Sequence, residues 1–255
     1  MPDRLTVCAL GATPYRAGLA LQDTLVRARA DGRTGDWLLY PDHPSVLTMG
    51  RSGTAANVLA DREALVRAGI EVVEVPRGGD VTWHGPGQLV GYPIVALDRV
   101  GRDLHRWLRT LEEALIRSLA RYGVLGERSE GRTGVWVGDL KIASLGVAVR
   151  RWVGYHGFAL NVRPDLSGFS LIHPCGLPGV RMTSMAELLG DRAPAMSEIR
   201  SAVSNELASL LGYDGLDEAP PEAAWAFQDG AAAADERGTG ARPGPTESTG
   251  GMPRW

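Results

Sequence analysis

The sequence predicts a mixed α/β fold of the α+β kind, with a largely antiparallel sheet covered by helices. Three observations carry this. "GVWVGDLKIASLGVAV" (134–149) sets Gly138-Asp139 between two β-rich runs, the mark of a tight hairpin with glycine first in the turn. "WVGYHGFALNV" (152–162) follows at once, too soon for a crossover helix, so its strand pairs antiparallel. "DLHRWLRTLEEALIRSLARYGV" has apolar residues at 104, 108, 111, 115, 119 and 122. That spacing is one face of a long helix, ended by Gly123, and the face needs a sheet to cover.

The other elements follow in chain order. "LTVCALG" reads as a strand with Cys8 facing the core. "WLLY" and "SVLTMG" are strand-like and flank a Pro-rich corner. "LADREALVRAGIEVVEVPRGGD" reads as a helix capped by Asp61 and ended by Gly69, then a strand at 70–75. "GQLVGYPIVAL" (87–97) is the next strand, and "SEIRSAVSNELASLLG" (197–212) a further amphipathic helix with Ser197 as candidate cap. From 229 onward, "DGAAAADERGTGARPGPTESTGGMPRW" has few large apolar residues and reads as a disordered tail, leaving 1–228 as a single domain.

Composition excludes several function classes. A chain of 255 residues, 44% hydrophobic and 22% charged, fits a soluble globular protein. Its net charge of -3 gives no electrostatic case for nucleic acid. No apolar run approaches the ~20 residues of a membrane helix, and the N-terminus does not read as a signal peptide. Two distant cysteines make no disulfide framework, so a reducing cytoplasm is expected. The five histidines show no i, i+4 pair and no CxxC partner, so no metal site is expected.

Three features stand out as chemistry. The chain has 27 basic residues, of which 26 are Arg and one is Lys, at position 141. Arg stays protonated, whereas Lys is a point charge that can lose its proton when desolvated. "VPRGGDVTWHGPGQLVGYP" (75–93) places five glycines around Arg77, Asp80, Thr82 and His84 after a strand, so exposed backbone N–H groups can meet a ligand there. It lacks the Gly-Lys-Ser/Thr ending of a P-loop and any G-x-G-x-x-G opening a helix. A tight crossing between strands accounts for it equally well, and His84 fits a general base, a metal ligand or a plain hydrogen-bonded side chain. "SLIHPCGLPGVRMTSM" (170–185) sets Cys175 in a turn of Pro and Gly, an unusual place for a small buried hydrophobe.

"RGGDVTWHGPGQLVGYPI", "GDLKIASLGVAVRRWVGYHGFALNV" and "HPCGLPGVRMTSM" together resemble the three signature regions of the octanoyltransferase, or lipoyl(octanoyl) transferase, family, in order and over roughly residues 5–212. The resemblance implies a fold like that of lipoate and biotin protein ligases and a single catalytic acyltransferase domain over 1–228. It makes Cys175 the carrier of an acyl-thioester and Lys141 its catalytic partner. It also makes three segments substrate-contacting: Arg77, Gly78, Gly79, Asp80, Val81, Thr82, Trp83 and His84; Ser144, Leu145 and Gly146; Gly157, Phe158 and Ala159. Asp80, Trp83 and Phe158 depart from the family's commoner wording, which bears on the acyl pocket. Gly146 and Gly157 lack side chains where a ligand chain can pass. The implied donor is octanoyl-acyl carrier protein. The implied acceptors are lipoyl domains of 2-oxoacid dehydrogenases and the glycine cleavage H protein. Arg102, Arg106 and Arg109 form a basic stripe that an acidic carrier could meet, or a merely solvated face.

The chemistry agrees with that implication. Thioester exchange is nearly balanced and thioester to amide runs downhill, so neither ATP nor a cofactor is required. A free thiol of pKa ~8.5 is only a few per cent thiolate at pH 7, and a nearby ammonium raises that fraction. Two rivals stand beside this reading. An ATP-dependent lipoate or biotin ligase on the same fold would need no nucleophilic cysteine, and a non-catalytic binding module would need neither Cys175 nor Lys141.

Overall fold

The computed structural model describes residues 3–228, so the expected tail from 229 lies outside the described residues. The chain opens with β1 (Arg4–Ala12), α1 (Tyr15–Ala30), β2 (Trp37–Asp42) and β3 (Val46–Met49). It continues through α2 (Arg62–Arg67), β4 (Glu71–Glu74), β5 (Val81–His84), β6 (Gln88–Ala96) and α3 (Leu104–Ala120). Four strands follow: β7 (Glu127–Ser129), β8 (Arg132–Val137), β9 (Leu140–Arg150) and β10 (Val153–Asn161). Then come β11 (Arg181–Met182), α4 (Met185–Leu189), α5 (Met196–Leu211) and β12 (Gly215–Glu218).

The large sheet runs β12-β1-β2-β6-β10-β9-β8-β7, with β11 beside β9. Its span from β2 to β7 is antiparallel, as the hairpin signals require. β1 runs parallel to both β2 and β12, and β11 parallel to β9, so the sheet is mixed. A smaller sheet, β4-β3-β5, stands apart from it. On one face of the large sheet, Trp107, Leu111 and Leu115 of α3 join Ile199, Val203 and Leu207 of α5 over Leu38 and Leu160. Leu21 and Leu25 of α1 cover the other face, against Leu39, Val90 and Ile94. With both faces covered, β6 and β10 are buried along their whole length, which is why they read as unbroken runs instead of alternating ones.

Several local expectations shift. The buried face of α3 is led by Trp107, while Leu104 is 44% exposed. Asp61 caps α2 as expected, its carboxylate accepting from the Ala64 amide at 2.6 Å. Ser197 does not cap α5: the N-cap is Ala195, two residues earlier, and the Glu198 carboxylate accepts the Ala195 N–H at 2.7 Å. β1 shows the expected buried Cys8.

One irregularity positions the site. β10 pairs β6 at Val153–Gly154 and again at Phe158–Asn161, and the ladder opens between. Pro93 of β6 has no N–H to give there. Opposite it, His156 (φ 57°) and Gly157 (φ 155°) leave the extended conformation. A Cβ on Gly157 would lie 2.6 Å from Pro93 Cδ and run into the Gly91 carbonyl.

Candidate active site

The glycine-rich loop lies between β4 and β5 and is tied down in its middle on two sides. The Arg51 N–H donates to the Arg77 carbonyl at 2.9 Å, and the Gly78 N–H to the Val147 carbonyl of β9 at 2.9 Å. Arg77 is buried and staples the loop from within. Its Nη2 donates to the Thr48 carbonyl (2.7 Å) and hydroxyl (2.8 Å), and its Nη1 to the carbonyls of Asp80 (2.9 Å) and Gly78 (3.1 Å). Gly146 makes room for it, since a Cβ there would sit 2.9 Å from Arg77 Cδ. The Cβ position of Gly146 is thus taken by Arg77 and that of Gly157 by the β6 backbone, while both glycines border the cavity.

Cys175 sits in a one-turn 3-10 segment, Pro174–Gly176, with φ of 58°. The turn is closed by the Gly176 N–H to the His173 carbonyl (2.9 Å) and the Leu177 N–H to the Pro174 carbonyl (3.2 Å). β11 then pairs Met182 with Lys141 of β9, and the Thr183 N–H donates to the Lys141 carbonyl at 2.9 Å. That pairing brings the two residues together. Lys141 is 1% exposed, and its Nζ donates to Cys175 Sγ at 2.9 Å and to the Thr133 carbonyl at 2.9 Å. Its Nζ also lies 5.3 Å from the centre of the Trp136 ring. Gly134 gives the lysine stem its room: a Cβ there would meet Lys141 Cε at 2.6 Å.

A cavity runs from half-buried Cys175 to a buried polar end formed by Tyr15, His84, Tyr92 and His156. Gly79, Asp80, Val81 and Thr82 border it on one side, and Ser144, Leu145, Gly146, Gly157 and Ala159 on the other, with Arg77 between. Two expected lining residues do not reach it. Gly78 is spent on the bond to β9. Trp83 alternates with Thr82 and His84 along β5, so its ring packs with Leu47, Phe169 and Ile172 and fills the space that Gly85 and Gly168 leave. Phe158 borders the cavity, but its ring lies in the α3–α5 core across Gly91.

The polar end is uncharged apart from Arg77. His43 Nδ1 faces the Thr13 carbonyl at 2.7 Å, which can only accept, so its Nε2 accepts from the Tyr92 hydroxyl at 2.8 Å. Burial lowers the pKa of His43. Burial, then the charges of His43 and Arg77, push His84 well below the usual histidine value. Burial, then Arg77 and Arg51, bring His156 down to about 3. His84 stacks on Tyr15 with ring centres 5.8 Å apart. Arg77 Nε, Thr82 Oγ1, His84 Nδ1, Ser144 Oγ and both ring nitrogens of His156 have no protein partner. Among the described residues no histidine bonds to Cys175 or Lys141, and no group of three or more His, Cys, Asp or Glu could hold a metal ion. No described helix is long and apolar enough to cross a membrane. In the basic stripe, Arg102 pairs with Asp98 (2.9 Å) and Arg109 with Glu112 (2.7 Å), so two of the three charges are met locally.

Sequence reasoning passed over Tyr15, Tyr92 and His156. Tyr15 opens α1, whose buried face includes Gly18, Gln22 and Ala28 and therefore shows weak apolar periodicity. Pro93 inside an otherwise buried strand was the available signal for the other two, because a proline there marks an interrupted ladder.

The lipoyl protein ligase A/B catalytic domain family matches residues 14–208. An octanoyltransferase of Syntrophotalea carbinolica is 50% identical over 202 residues, 79% of this chain and 92% of that protein. One of Geobacter metallireducens is 48% identical over 79% of this chain and 91% of its own length. In fold, the chain superposes on a crystal structure of lipoate-protein ligase A bound with ATP. The TM-score is 0.73 and the identity 21%, over 90% of this chain and 94% of that one. A putative lipoate protein ligase from T. acidophilum superposes with a TM-score of 0.71 and 21% identity, over 90% of this chain and 95% of that one. The fold is therefore that of the lipoate protein ligases, and the chain belongs to the octanoyltransferases, acyltransferases within the lipoyl protein ligase A/B catalytic domain family.

Proposed function

We propose that Cys175 takes an octanoyl group from the thioester of acyl carrier protein and that Lys141 manages the protons of that step and of the next. The acceptor is a lysine of a lipoyl domain, as on 2-oxoacid dehydrogenases and the glycine cleavage H protein. The observation that carries the reading is the 2.9 Å contact between Lys141 Nζ and Cys175 Sγ at the mouth of a cavity.

The proton balance runs through that contact. Transfer of the thiol proton to Nζ gives a thiolate beside an ammonium. The thiolate attacks the carrier's thioester carbonyl, the new C–S bond forms, and the carrier thiolate leaves with the proton from Nζ. Lys141 is then neutral. The acceptor amine attacks the Cys175 thioester, its proton passes to Nζ, and the Cys175 thiolate leaves. The starting ion pair is restored, with one thioester consumed and one amide made. Arg at 141 could hold the thiolate but could not accept the second proton.

Intact mass after mixing with octanoyl-acyl carrier protein tests this. One octanoyl group on the peptide containing Cys175 is expected. Transfer that needs ATP and free octanoate, with no adduct on Cys175, would point instead to an adenylate-forming ligase.

A further inference from the structure

We propose that Asp80 and Asn57 are positioning residues: their carboxylate–amide pair is the seat on which the Cys175 turn rests, holding Sγ at Lys141 Nζ. The inference builds on Cys175 being the nucleophile. Cys175 has a backbone conformation that residues with a Cβ rarely adopt, so the surrounding structure must impose it.

A tether to that turn and a tether to Asp80 meet at Asn57. Its carbonyl accepts the His173 N–H at 2.8 Å, two residues before the cysteine. Its side-chain amide donates to Asp80 Oδ2 at 2.6 Å. The neighbouring chain is zipped to the same segment, through a bridge between Val58 and Ile172 and the Leu59 N–H to the Leu171 carbonyl at 2.8 Å. Asp80 is fixed in turn: Oδ1 accepts from the Val81 N–H at 2.6 Å and from the Thr54 N–H at 3.4 Å.

The turn lies directly on this pair. A Cβ on Gly176 would run into Asp80 Oδ2 and sit 3.0 Å from Asn57 Nδ2. Gly176 also has φ of 69°, so the residue after the nucleophile has neither a side chain nor an ordinary backbone. Both carboxylate oxygens are already occupied by protein donors, so the place of Asp80 under the turn is explained by shape and hydrogen bonding.

The test is a swap. Single-turnover loading of octanoyl from acyl carrier protein is followed by mass, per mole of Cys175 that iodoacetamide can alkylate. Loss of positioning at a nucleophile costs up to about 100-fold, so Asp80→Ala and Asn57→Ala should each load at least about tenfold more slowly. Asn57→Asp alone sets two carboxylates face to face and should be as slow. Asn57→Asp with Asp80→Asn exchanges donor and acceptor, rebuilds the pair, and should return loading to within about threefold of wild type, a coupling that only direct partners show. If Asp80→Ala does not fold, the contrast between Asn57→Asp and the swap decides the matter. Loading by Asp80→Ala within threefold of wild type, or a swap no faster than Asn57→Asp, overturns the proposal. Failure of the wild-type protein to load removes the nucleophile assignment itself, and this inference with it.

Discussion

Lys141 Nζ has two protein partners, the Thr133 carbonyl and Cys175 Sγ, and neither is a carboxylate. A buried ammonium without an anion is expensive, so the charge there is balanced when the sulfur is a thiolate. Removing the sulfur therefore removes the lysine's partner and, on the proposed function, the nucleophile. Cys175→Ala should abolish steady-state octanoyl transfer. Cys8→Ser should leave it nearly intact, because Cys8 is buried in β1 and its thiol is pushed up to about 11, first by burial. Loss of transfer in a folded Cys8→Ser protein would reassign the nucleophile. Lys141→Arg keeps the charge but removes the proton acceptor, so acyl loading should survive better than amine attack. A positioned base is worth about 10²–10⁴ in rate, and single-turnover release of octanoyl to a lipoyl domain should fall by that order. Release within about threefold of wild type would make Lys141 a fixed charge only. Both residues were legible in the sequence because this chain is sparing with them: one lysine, and one cysteine in a turn. Their distance was not legible, since it depends on β11, a two-residue strand between the Cys175 turn and α4.

At the scale of elements, the interrupted β6–β10 ladder shapes the polar end of the cavity. Gly157 combines φ of 155° with backbone atoms where its Cβ would be, whereas Gly179 has φ of 82° and nothing within 4 Å. Gly157→Ala should therefore cost about 2–3 kcal/mol, strain plus collision, against about 1 kcal/mol for Gly179→Ala, strain alone. Urea midpoints would compare them, and equal losses would show that the collision is relieved by a small shift of β6. The hairpins and amphipathic helices were readable because turn chemistry and 3.6-residue periodicity are local. The side of β5 on which Trp83 lies was not, because Thr82, Trp83 and His84 are all buried, so the polar pair marks the cavity face and not a solvent face. The β9–β10 turn was readable only from the shortness of the connection: Arg151 and Trp152 both adopt positive φ, 50° and 61°, without the Asn-Gly or Asp-Gly that usually announces it.

For the whole molecule, the neutral histidines set a pH limit on stability. His43, His84 and His156 have folded pKa values below their ordinary 6.5, each chiefly through burial. The unfolded chain therefore binds more protons than the folded one below pH 6.5. Stability is full above that pH and is lost as pH falls through the window between the unfolded and folded values, by up to about 1.4 kcal/mol per pH unit for each histidine. The urea midpoint should drop between pH 7 and 5.5, before most carboxylates titrate, and His156→Gln should shrink the drop. An unchanged midpoint would mean that these rings protonate in place. At the same scale, the proposed function has one cysteine, held by the small sheet's loop and by β9, carry the acyl group between two proteins. The direct measurement is kinetic competence of the isolated intermediate. Enzyme loaded by octanoyl-acyl carrier protein and freed of donor is mixed with lipoyl domain, and the octanoyl group is followed from Cys175 to the acceptor lysine. Transfer at least as fast as steady-state turnover is expected, with no ATP present. An acyl-enzyme that persists while turnover proceeds would contradict it.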